Sequence, residues 1–205
     1  MPNSTVTPMP TIGVDQAYIA KLLTDTAEGC TYDTPVALLG LTSVNVTESG
    51  EIGKFFADNG LYATYANPSS KEVEFSVAEV EPQNLALMTG ATYANGLYST
   101  SSEDKAPKFA FGYRRLRSDG SYRYVWLLKG SFRVGNESAE TKGENVNFQG
   151  QTVRYVAENR VYDKRDRNCC DDNDPDLIEG VNAAKIATEW FKDPNADFMS
   201  GSVSA

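Results

Sequence analysis

Alternation of apolar and polar residues dominates this chain and predicts strands over much of it. Val73, Phe75 and Val77 alternate with Glu72, Glu74 and Ser76, the pattern of a strand with one buried face. Thr42, Val44 and Val46 alternate in the same way with Ser43, Asn45 and Thr47, and Val153 and Tyr155 share a face within Gln151–Glu158. The longest signal is Lys105–Phe132, KAPKFAFGYRRLRSDGSYRYVWLLKGSF, which predicts a β-hairpin. Asp119-Gly120 suits the two positive-φ positions of a type I′ turn. That loop aligns Arg117 with Tyr122, Arg115 with Tyr124, Tyr113 with Trp126 and Phe111 with Leu128. One face then carries Phe111, Tyr113, Tyr122, Tyr124, Trp126 and Leu128, and the other Gly112, Arg114, Leu116, Arg123, Val125 and Leu127. Both faces mix apolar and basic groups, which suits a hairpin covered on both sides, by its own core and, as one candidate for the second cover, a neighbouring subunit.

Other segments are less uniform. Val14–Leu23, VDQAYIAKLL, fits a short helix or a buried strand equally. Pro82–Thr89 predicts a short helix, with Pro at its start and Gly90 after its end. Asn95-Gly96 marks a turn, and Thr141–Gln149 a turn-rich approach to a strand. Glu48–Ser70 is long for a connection, yet Phe55, Phe56, Leu61, Tyr62 and Tyr65 seek burial. Two readings stand: a local hairpin turning at Asn59-Gly60 and packed on its own subunit, or an arm that buries its aromatics on a neighbour. The expected organisation is a flexible lead-in over 1–11, an antiparallel β-sandwich or barrel-like domain over 12–162, and a C-terminal part over 163–205. That last part comprises a charged linker, a helix over about 175–192 capped by Asp174, and a disordered tail. The βαβ alternation of a parallel sheet is missing.

Composition narrows the chemistry. The 205 residues carry a net charge of −9, with 28 acidic against 19 basic residues. Nucleic-acid affinity rests on cations that neutralise phosphates, so gripping DNA is not expected. No run of about 18 apolar residues predicts a membrane span, and MPNSTVTPMPTIG lacks the features of a secretory signal. Histidine is absent, which removes the commonest general base and metal ligand. There is no phosphate loop and no nucleophile elbow. Carboxylates are plentiful, but no pair stands out for glycoside hydrolysis. Cys30, Cys169 and Cys170 make no disulfide framework and too few ligands for a structural zinc; reduced thiols are expected. Asp171–Asp176, DDNDPD, offers hard oxygens but lacks the central Gly and distal Glu of an EF-hand loop, and reads as a solvated linker. Arg114, Arg115, Arg117 and Arg123 cluster on the hairpin, placed for salt bridges to acids on adjacent strands or subunits. No enzyme activity, cofactor or metal is expected. One alternative is a monomeric ligand-binding β-barrel with Phe111, Tyr113 and Trp126 lining a pocket.

The order of these segments resembles the major tail protein, the tail-tube subunit, of long-tailed non-contractile bacteriophages. The similarity lies in TIGVDQAYIAKLLTD, FFADNGLYATY, the hairpin KAPKFAFGYRRLRSDGSYRYVWLLKGSF, AETKGENVNFQGQTVRYVA and IATEWF. Together they cover about residues 11–192 in order. The Pro-rich lead-in, Cys169-Cys170 and the stretch after Asp193 depart from it. The resemblance implies a β-sandwich tail-tube fold with a flanking helix, assembling into hexameric rings that stack around a tape-measure protein. Tail terminator and distal tail proteins are the other implied partners, and viral DNA leaves through the lumen without specific binding. The implied location is the virion tail, and the host bacterial cytoplasm during assembly. Phe55, Phe56, Leu61, Tyr62, Tyr65, Arg115 and Arg117 are the candidate subunit-interface residues.

Overall fold

The computed structural model describes residues 8–50, 52–57, 59–66, 70–134 and 150–196. The expectations for residues 1–7, for Thr141–Gln149 and for the tail beyond 196 lie outside the described residues. The ambiguous segment is a strand, β1 (Thr11–Asp25). Ala17 and Ile19 are buried on one of its faces and Ala20 on the other, and a strand covered on both faces loses the alternation that would identify it. β2 (Cys30–Tyr32) and β3 (Val36–Leu38) both pair with β1. Gly40, at φ 76°, then turns the chain into β4 (Leu41–Ser49). β5 (Ile52–Ala57), β6 (Gly60–Ala66) and β7 (Ser70–Val77) follow. Helix α1 spans Pro82–Thr89 as expected, with Gly90 as its left-handed cap. β8 (Thr92–Ala94) and β9 (Leu97–Ser99) flank Asn95 and Gly96, both at positive φ. β10 (Phe109–Arg117), β11 (Tyr122–Val134), β12 (Gln151–Ala157) and β13 (Arg167–Asp171) complete the strands. Helix α2 (Ala183–Glu189) runs into a 3-10 turn at Trp190–Lys192.

Nine strands form one antiparallel sheet in the order β2-β1-β10-β11-β12-β7-β4, with β3 also beside β1 and β13 also beside β11. The expected mainly-β, sandwich-like architecture is present, and the sheet does not close into a barrel. Its inner face buries Ile19, Phe75, Phe111, Leu127, Phe132 and Tyr155, joined by Leu85 and Met88 of α1. Phe75 stacks on Phe111 at 4.4 Å, and the buried Tyr155 hydroxyl donates to the Phe109 carbonyl at 2.9 Å. That bond satisfies a phenol that would otherwise be costly to bury.

The hairpin β10–β11 is present, but its register differs from the expected one by a residue. Leu116 faces Tyr122, Arg115 faces Arg123, Tyr113 faces Val125 and Gly112 faces Trp126. The Arg117 N–H donates to the Ser121 carbonyl at 2.9 Å, so the loop holds three residues, and of these only Gly120 has positive φ, 84°. A three-residue loop ending in left-handed Gly is the other common use of an Asp-Gly pair. The slip regroups the faces. Phe111 and Tyr113 join Val125 and Leu127 inside, while Ala110 joins Tyr124, Trp126 and Leu128 outside. Gly112 is needed beneath Trp126, because a Cβ there would lie 2.8 Å from the indole ring.

The outer face is covered by the chain's own C-terminal segment. Val181, Ile186, Trp190 and Phe191 pack on Tyr124, Trp126 and Leu128. The Trp126 Nε1–H donates to the Trp190 carbonyl at 2.8 Å, and Tyr18 stacks on Phe191 at 4.5 Å. The helix begins later than Pro175. Asn182 caps it, accepting from the Lys185 N–H at 2.9 Å, whereas Asp174 accepts from the Asp176 N–H within a turn. The expected linker contains β13, paired with β11 from Arg123–Asp171 to Leu127–Arg167. Asn195, expected in the tail, accepts from Arg160 at 2.6 Å and donates to the Cys30 carbonyl at 2.8 Å.

Candidate assembly surface

The ladder of β4 and β7 leads into that of β5 and β6. Ser49 faces Ser70 at the end of the first ladder and Ile52 faces Ala66 at the start of the second, so β5 and β6 are the distal part of the excursion between β4 and β7. β4 and β7 join the large sheet; β5 and β6 form a two-stranded sheet of their own. The turn lies between Ala57 and Gly60, one residue before the expected Asn59-Gly60, and Asn59 takes φ 62°. Register places Phe55 and Tyr65 on one face, while Phe56 and Leu61 form a pair on the other. Phe55, Phe56, Leu61, Tyr62 and Tyr65 are 61, 64, 53, 75 and 69% exposed. Phe55 meets Tyr62 edge-on at 6.2 Å. The local hairpin therefore exists, but its aromatics are not packed on their own subunit. A lone two-stranded hairpin is marginal in water, and clustered exposed apolar groups mark contact surfaces.

The basic cluster divides. Arg114 grips Asp15 on β1 through Nε and Nη2, at 2.7 and 2.8 Å, and stacks over Tyr122. Arg123 grips Asp171 at 2.6 and 2.8 Å. Arg117 also binds Asp171, reaches Asn173 at 3.3 Å and is buried. Within the subunit it ties the hairpin to β13. Arg115 is half-buried and donates to the Tyr113 hydroxyl at 2.9 Å; among the described residues it has no acidic partner.

Asp171 gives this tie a pH dependence. Burial alone would raise its carboxyl, but the hydrogen bonds and charges of Arg123 and Arg117 outweigh burial and hold it below the ordinary 3.8. The unfolded chain then binds the proton more readily, so the stabilisation is complete above about pH 4 and fades as pH falls through the depressed native value. The urea midpoint of the wild type is expected to fall more steeply below about pH 4 than that of Asp171→Asn. Equal slopes would show that the carboxylate contributes nothing specific.

The remaining candidates have structural duties. In the acidic run, Asp171 is engaged as above, and Asp172 accepts from the Tyr122 N–H at 2.9 Å. Among the described residues no three His, Cys, Asp or Glu side chains gather as a metal site. Cys169 and Cys170 are free and project to opposite faces of β13. Burial, reinforced by Cys169 and Asp171, pushes the Cys170 thiol up to about 12, far from a reactive thiolate at neutral pH. Phe111 and Tyr113 lie in the inner core and Trp126 in the outer one, so the three line no common pocket. No helix among the described residues is long and apolar enough to cross a membrane. No protein-family model matches the chain, and no curated protein matches it in sequence.

Proposed function

We propose that this chain is a structural subunit that self-assembles, building a tail tube like that of long-tailed non-contractile bacteriophages from stacked hexameric rings. The observation that carries the reading is the β5–β6 arm, a hairpin separate from the large sheet with large apolar side chains exposed on both faces. A contact between an arm and a different surface of the next copy is heterologous, and heterologous contacts close into rings or extend into filaments. The open edges of the large sheet would be covered in the same process. The ordered segments of similarity supply the kind of assembly. A net charge of −9 per copy suits a tube that lets DNA pass rather than holding it.

Electron microscopy and sedimentation of the purified protein test this. Rings or tubes of uniform width are expected. A sharp monomer at high concentration that forms no polymer even beside tail-initiation partners would overturn the reading.

A further inference from the structure

The two strands β1 and β4 come close to each other along a seam, without pairing among the described residues. β3 pairs with β1 at Ala17–Ile19, but after Gly40 the chain leaves β1, and β4 pairs with β7. The outer edge of β4, and the edge of β1 over Thr11–Asp15 that faces away from β10, bond no strand among the described residues. Between them lies a cleft of about 530 Å³, lined by Gly13 and Val14 from β1, Val44 and Val46 from β4, and Arg115. The three valines pack against the inner core yet remain only partly buried.

Arg115 is the second, independent observation. It stands directly across the ladder from Arg123, a like-charge pair that sheets disfavour. Asp171 neutralises Arg123, whereas no described acid reaches Arg115, although the chain has 28 acidic residues. A half-buried guanidinium kept beside another one selects a planar carboxylate from outside.

We infer that a second copy of this chain completes the seam, laying an extended edge in the cleft. Its backbone bonds a free strand edge, its apolar side chains cover Val14, Val44 and Val46, and one of its carboxylates meets Arg115. The acid excess of the chain makes a second copy a complementary occupant. The inference rests on the assembly reading and adds a contact separate from the arm.

The test uses the full-length protein. Arg115→Gln removes a repelling cation and also a donor to the Tyr113 hydroxyl, opposite effects on the monomer, so its urea midpoint is expected to change little. The concentration needed for assembly is expected to rise about tenfold or more, with a weaker salt dependence. A residue that merely props the fold would move the urea midpoint down instead. In a second arm, Arg115→Lys is assembled from isotopically labelled and unlabelled copies and treated with a carbodiimide. The new ammonium is expected to couple to a carboxylate of a different chain. Assembly of a folded Arg115→Gln protein at the wild-type threshold overturns the seam but leaves the arm reading intact; so does coupling within one chain only. Failure of the wild type to assemble at all overturns both. Should Arg115→Gln fail to fold, the coupling result decides.

Discussion

Replacing Phe55, Phe56, Leu61 and Tyr62 together by Thr is expected to abolish polymerisation while leaving the monomer folded. Thr keeps the strand preference of β5 and β6 and removes what the arm has to bury. Each of these side chains is worth about 1.5–3 kcal/mol when moved from water into an apolar contact. Four of them carry on the order of 6–12 kcal/mol of gross stabilisation per subunit, and only the surplus over ordering and association costs appears as assembly. All four are more than half exposed in the subunit, so little of that stabilisation belongs to the monomer. Its melting temperature is expected to move by no more than about 2 °C, within the range of surface substitutions. Circular dichroism reports the folding and sedimentation velocity the polymer. A variant that unfolds, or one that polymerises like the wild type, defeats the prediction.

Trp126→Ala is expected to act in the opposite sense, on the monomer first. The indole is buried, covers Gly112, packs edge-on to Phe191 at 5.7 Å and bonds the Trp190 carbonyl. Deleting it removes the floor on which the C-terminal segment rests, and substitutions of this kind cost about 3–5 kcal/mol. Against a total stability of about 5–15 kcal/mol, that is a large fraction. The turns between Asp172 and Gly180 are expected to become the first sites of limited proteolysis, because they connect β13 to the loosened helix. A urea-derived loss below about 1 kcal/mol, with the protease pattern unchanged, would show that the segment does not depend on Trp126.

These two sites differ in how openly the sequence displays them. The β5–β6 hairpin is legible because aromatics gathered in so long a connection call for a hairpin or an arm, a choice the sequence leaves open, and the five residues named there are found exposed. The outer core is not. Tyr124, Trp126 and Leu128 need a cover that the sequence around them does not supply, because the covering helix lies far along the chain. The hairpin register is hidden for a related reason. Asp119-Gly120 serves a two-residue and a three-residue loop, and with both faces covered the apolar pattern cannot choose. β13 is masked by its charges: Arg-Asn-Cys-Cys-Asp looks solvated until Asp171 is seen between Arg117 and Arg123. Pro175 and Asp174 supply a sound local start signal, but Gly180 at φ 84° and the cap at Asn182 start the helix later. The seam beside Arg115 has no sequence signature, since it exists only because β4 leaves β1 for β7.

The attachment of the β5–β6 arm also sets how it bears load. Its root is a ladder of β4 on β7, and β7 is itself bonded along its length to β12. Hydrogen bonds in such ladders lie across the strands. A pull on the tip directed along the arm therefore strains many of them at once, in shear, and none can be opened singly like the teeth of a zip. A force across the arm meets only the two-stranded distal part, which can bend. An arm built this way is stiff in tension and compliant sideways.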